Sequence, residues 1–137
     1  MEKNIFKLRI FDAYKPENRR FVPKSYYKNM HGIILMYDIT DQNSFILVSN
    51  WLNSIKNKND NKYLCMILVG NRFDSPDRKV TEEEGKRLAD ECGCQFLEIS
   101  TDNNKNINEV LENLTREIYN AQKKKEKEEE SFDAANK

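Results

Sequence analysis

Gly32-Ile33-Ile34-Leu35-Met36-Tyr37-Asp38 decides the fold. It is a short, almost wholly apolar run that opens on a glycine and stops at an aspartate. Two more runs of the same kind follow, Tyr63-Leu64-Cys65-Met66-Ile67-Leu68-Val69-Gly70 and Gln95-Phe96-Leu97-Glu98-Ile99-Ser100. Runs of this length ending at turn residues predict parallel strands covered on both faces. Upstream, Asn4 to Asp12 alternates, with Phe6, Leu8 and Ile10 on one side and Ile5, Lys7 and Arg9 on the other. That pattern suits a strand nearer an edge or with a partly exposed face.

Helical patterns fill the intervals. Phe45, Val48, Leu52 and Ile55 share one face, and Asp41 or Asn43 is placed to cap it. Thr81-Glu82-Glu83-Glu84 is a capping box for a helix that buries Leu88, Ala89 and Cys92 and stops at Gly93. A last helix has Asn106-x-x-Glu109 at its start and an apolar stripe of Ile107, Leu111, Leu114 and Ile118. Strands alternating with helices predict βαβ units, hence an α/β fold with an open parallel sheet. Beyond Tyr119 the apolar spacing gives way to Lys123-Lys124-Lys125-Glu126-Lys127-Glu128-Glu129-Glu130, a solvated helix extension or a disordered tail.

Composition narrows the function classes. The 137 residues carry 23 Lys and Arg against 23 Asp and Glu, so the chain lacks the basic excess of a general polyanion binder. No nucleic-acid partner is expected. No apolar run approaches the length of a membrane span. Three cysteines, Cys65, Cys92 and Cys94, with one histidine make a poor zinc site and suit reduced, cytoplasmic thiols.

In an open α/β sheet, ligands bind beyond the carboxyl ends of the strands. Those ends carry Asp12, Asp38, Asn71-Arg72-Phe73-Asp74 and Ser100-Thr101-Asp102. Taken alone, Asn71-x-x-Asp74 is an ordinary turn. A motif requirement can be tested without any relative. A P-loop needs two glycines five positions apart, followed by Lys and Ser or Thr. The four glycines stand at 32, 70, 85 and 93, so these 137 residues contain no such loop.

The order Lys7-Leu8-Arg9-Ile10-Phe11-Asp12, Ser25-Tyr26-Tyr27, His31 to Asp41 and Leu68 to Asp74 resembles the small GTPases of the Ras superfamily. Tyr26-Tyr27, His31-Gly32-Ile33-Ile34 and Tyr37-Asp38-Ile39-Thr40 make the resemblance specifically Rab-like, over about residues 4–121. It implies a three-layer G domain of the P-loop-NTPase type with a mostly parallel sheet. The first two strands and the P-loop helix have no counterpart here, so the expectation is an incomplete domain over 1–121 and a charged tail over 122–137. The family's first strand normally lies between the strands matching Asn4–Asp12 and Gly32–Asp38. Its loss predicts either a gap or a re-paired, narrower sheet.

The family's N-K-x-D motif falls on Asn71, Arg72 and Asp74. This implies that Asp74 accepts the guanine N–H groups, that Asn71 braces the loop, and that Arg72 stands where a lysine stem lies over the base. The S-A-K motif falls on Ser100-Thr101-Asp102, whose backbone would meet the base, with an anion at Asp102 in place of a cation. Asp12 stands at the Walker B position and would help hold Mg²⁺ with GTP or GDP. In D-x-x-G-Q, Lys15 replaces the glycine and Pro16 the glutamine, leaving no agent to position the attacking water.

The resemblance therefore implies guanine-nucleotide binding and regulation of vesicle traffic, with tight binding and hydrolysis lost in this chain. Effector or regulator proteins would meet Phe11 and Tyr26, two positions of the family's aromatic triad. The C-terminal Asp133-Ala134-Ala135-Asn136-Lys137 holds no cysteine for a lipid anchor. The expected state is a monomer, cytoplasmic or peripheral to endomembranes through partners. The alternatives are a pseudo-GTPase interaction module and a truncated, non-functional product. An unrelated Rossmann-type or flavodoxin-like enzyme would need its own phosphate loop, and no G-x-G-x-x-G is present.

Overall fold

The computed structural model describes residues 5–13 and 23–136. Its elements are β1 (Leu8–Asp12), a single 3₁₀ turn at Lys24–Tyr26, β2 (Gly32–Asp38), α1 (Gln42–Lys58), β3 (Cys65–Asn71), α2 (Glu82–Cys92), β4 (Gln95–Ile99) and α3 (Ile107–Ala135). All strands are parallel, in the order β1-β2-β3-β4. Helices α1 and α2 cover one face and α3 the other, giving three layers.

The sheet takes the re-paired form. β1 bonds directly to β2, with Leu8 opposite Gly32 and Ile10 opposite Ile34. Gly32 permits this contact: a Cβ there would lie 2.6 Å from Ile118 Cδ1 and 2.9 Å from Leu8 Cδ2. The Gly32 and Ala13 amides donate to the carbonyls of Lys7 and Met36. Odd-numbered residues of β1 thus aim their backbone at β2, and Leu8 and Ile10 aim theirs outward. Ile10 is 60% exposed, because α3 packs chiefly on β3 and β2.

Two apolar cores result. Ile33, Leu35 and Tyr37 of β2 face Val48, Leu52, Ile55 and Leu88 from α1 and α2. Ile34, Ile67 and Val69 face Val110, Leu114 and Ile118 of α3. The alternation of one strand between two cores is the physical reason β2 and β3 read as apolar throughout. β4 departs from that expectation: four of its five residues are only half-buried, since it closes the sheet's other edge.

The caps are mostly as read. Asp41 Oδ1 accepts from the Asn43 amide, Thr81 Oγ1 from the Glu84 amide, and Gly93 ends α2 at φ +68°. Asn106 stands at the N-cap of α3 but its side chain makes no capping hydrogen bond. It lies at φ +64° and turns its side-chain amide to the Glu98 carbonyl, 3.0 Å away. The stripe on α3 is also rotated from its expected position: Val110 is buried and Leu111 is 46% exposed, over a shallow groove beside Phe6. Near its C-terminal end α3 is fastened to the β3 approach through Glu128, which pairs with Lys62 at 2.8 Å and accepts from the Tyr63 hydroxyl.

Candidate functional site

The carboxyl ends of β1, β2 and β3 and the loop after β4 surround one cavity of about 360 Å³. Asp12, Asp38, Asn71, Arg72, Thr101 and Asp102 line it over a floor of Met36 and Tyr37. Parallel strands place all these residues at one end of the sheet, although they span ninety positions of sequence.

Asn71 joins the two loops that build the site. Its Oδ1 accepts from the amides of Arg72 (2.8 Å) and Thr101 (3.1 Å), and its Nδ2 donates to Thr101 Oγ1 (3.1 Å). An amide does this well because it offers an acceptor and a donor on one rigid plane. Arg72 sits at φ +69°, which carries its side chain back over the cavity. Its guanidinium lies between two carboxylates, 3.6 Å from Asp38 and 3.4 Å from Asp102. The anion at Asp102 therefore has a local partner, the same arginine that stands in the base-stacking position.

Asp38 is spoken for on both oxygens. Oδ1 accepts from the Thr40 amide (2.8 Å) and hydroxyl (2.7 Å), and Oδ2 faces Arg72. Asp12 lines the cavity, but no group of three His, Cys, Asp or Glu side chains converges as a metal site among the described residues. Magnesium bound through one or two carboxylates also needs substrate phosphates.

Asp74 and Ser100 lie beside the cavity rather than on its lining. The Asn103 side-chain amide donates to Asp74 Oδ2, and Lys105 Nζ is 3.8 Å from the same oxygen. Hydrogen bonding from Asn103 chiefly holds the Asp74 carboxyl below the ordinary carboxylate range, opposed by partial burial and helped by Ser100. Ser100 is fully buried, and its hydroxyl accepts from the Asn103 amide nitrogen at 3.2 Å.

Sequence reading missed three contributors. Arg78 forks onto Glu98, Nη1 to Oε2 and Nη2 to Oε1 both at 2.8 Å, and donates to the carbonyls of Val80 and Phe73. This clamp fixes the loop that carries Asp74 to β4. Asn103 and Lys105 were also unread, as the turn that folds them back is local to this loop. Tyr14, Lys15 and Pro16 of the expected hydrolysis motif lie outside the described residues.

A parallel sheet with a polar, Asn-braced cavity at its carboxyl end is the open α/β arrangement in which ligands sit beyond the strand ends. The comparisons identify the family. The Ras family model matches residues 1–120, and the chain belongs to the Ras family, on its Rab branch. It is 43% identical over 118 residues to the Ras-related protein RIC1 of Oryza sativa subsp. japonica, covering 83% of this chain and 56% of that protein. It is 41% identical over 114 residues to the GTP-binding protein ypt2 of Schizosaccharomyces pombe, covering 82% and 56%. It is 37% identical over 112 residues to the Ras-related protein SEC4 of Saccharomyces cerevisiae, covering 82% and 52%. The chain thus spans about half the length of the curated relatives it matches.

Proposed function

We propose that these 137 residues form a Rab-like module that keeps guanine-base recognition in outline and does not by itself bind nucleotide tightly or hydrolyse it. Asn71 and Thr101 hold the base loops together, Asp74 is the acceptor for the guanine N–H edge, and Ser100 supports the second loop. Arg72 flanks the base, and Asp12 is the one cavity carboxylate positioned by the family motif toward Mg²⁺. The observation that carries the reading is the charge of the cavity among the described residues: Asp12, Asp38 and Asp102 against the guanidinium of Arg72. Such a lining repels the phosphates of GTP and GDP, and there is no P-loop in the sequence to offset it. Two charge-assisted bonds to the base, less the ordering cost, correspond to an affinity of about millimolar at best.

The biological setting that follows from the family is regulation of vesicle traffic, in the cytoplasm or at endomembrane surfaces through partners. No helix among the described residues is long and apolar enough to cross a membrane. One observation favours a second reading, a pseudo-GTPase that captures trafficking regulators. Half-buried Phe11 packs at 6.1 Å from the Trp51 ring, and Arg9 lies 6.0 Å over half-buried Tyr26 on the same face. Phe11 and Tyr26 are both packed against the core that α1 covers.

Titrating GDP and GTP with Mg²⁺ into the purified chain tests the main reading. The expected result is no saturation below millimolar ligand and no phosphate release. Micromolar binding that Asp74→Ala abolishes would overturn it.

A further inference from the structure

The loop after β4 turns back on itself. Ser100 and Lys105 exchange two backbone hydrogen bonds, at 3.1 and 2.9 Å, and Asn104 stands at φ +53° inside the turn. The turn delivers the side chain of Asn103 to Asp74, twenty-nine positions away in sequence, where its –NH₂ occupies Oδ2. Asn103 is itself fixed by its backbone amide on Ser100 Oγ, and Lys105 is held beside Asp74 and 5.8 Å over the Phe73 ring.

A carboxamide presents planar N–H donors, as does the amino edge of a guanine. The guanine edge needs both Asp74 oxygens for its two N–H groups, and Asn103 Nδ2 already donates to Oδ2, so the two compete for that oxygen. We infer that Asn103 is a built-in competitor for the guanine edge, and that base entry at Asp74 requires its side chain to leave. This rests on the reading of Asp74 as the base acceptor, and it makes Asn103 a residue that sets affinity by occupying the site, not by contacting the ligand. The phosphate side plays no part, so the probe is the nucleoside guanosine.

The test compares the wild-type chain, Asn103→Ala and Asp74→Ala, with guanosine binding followed by NMR and adenosine as control. Carboxyl ¹³C titration of Asp74 gives a readout independent of ligand. Asn103→Ala is expected to bind guanosine roughly tenfold more tightly, the worth of one hydrogen bond to a charged group. Its Asp74 titration is expected to move up toward the ordinary carboxylate range. Guanosine binding that Asp74→Ala abolishes but Asn103→Ala leaves unchanged would overturn this inference alone. Binding indifferent to Asp74→Ala, or none in any variant, would overturn the base reading and the competition with it.

Discussion

Arg78 is the residue whose removal should reach furthest through this structure. Its guanidinium makes two 2.8 Å bonds to the Glu98 carboxylate and two more to the carbonyls of Val80 and Phe73. The Glu98 side chain is 9% exposed and that of Arg78 29%. Arg78→Met therefore strands a nearly buried carboxylate and leaves two loop carbonyls without their donor. Stranding one partner of a buried pair costs about 3–5 kcal/mol. The partial exposure of Arg78 puts this case near the lower end, about 3 kcal/mol. With an unfolding entropy of about 2.1 cal/mol/K per residue over the chain, that is a fall in Tm of about 10 °C. Thermal unfolding followed by circular dichroism reads it directly. Glu98→Gln in the Arg78→Met background removes the stranded charge and should recover part of the loss, with a coupling energy above about 1.5 kcal/mol. A Tm change under about 3 °C for Arg78→Met, or additive single and double variants, would show that the Arg78–Glu98 fork does not hold the loop.

Three further outcomes follow from local geometry. The Tyr37 hydroxyl is buried without a hydrogen-bond partner, and burial pushes its ionisation well above the usual tyrosine range; Tyr37→Phe should stabilise the fold by about 1 kcal/mol, and a lower Tm would contradict this. Burial raises the Cys65 and Cys94 thiols to about 12, from an ordinary value of 9.0. The unfolded chain then loses these protons first, so stability present below pH 9 should decline as pH rises from 9 toward 12; urea midpoints measured across that range should fall, with a shallower fall in Cys94→Ala. Ile10, outward on the free edge of β1, should make the chain more soluble as Ile10→Lys while leaving stability within about 0.5 kcal/mol. Unchanged aggregation in light scattering would show that this edge is not what associates.

Much of the fold was legible because its signals are local. Gly32–Asp38 is bounded as read, since a glycine and an aspartate mark its ends and both its faces are covered. Thr81 and Gly93 bound α2 through backbone chemistry that three or four residues contain. What was illegible depends on which elements are present. Leu111 has the spacing of a core residue, yet with β1 paired to β2 no described element lies over it, and Val110 takes the buried place. Asn106 reads as a cap, but the turn from Ser100 to Lys105 brings it in at positive φ with its side chain on Glu98.

The site divides along the same line. Asn71, Arg72 and Thr101 share one cavity with Asp12 because strand ends in a parallel sheet converge. The occupation of Asp74 by Asn103, the fork of Arg78 on Glu98 and the capture of Arg72 between Asp38 and Asp102 join residues 20 to 34 positions apart. Each of those side chains, read singly, is an ordinary surface polar group.

The most direct test of base recognition without phosphate recognition is a side-by-side NMR titration of the ¹⁵N-labelled chain with guanosine, adenosine and GDP–Mg²⁺. Guanosine is expected to shift the amides around Asn71, Asp74 and Thr101 with an affinity of about millimolar order, GDP–Mg²⁺ to shift the same amides no more tightly, and adenosine to shift none of them. GDP binding about a hundredfold tighter than guanosine, in a Mg²⁺-dependent manner, would contradict this expectation.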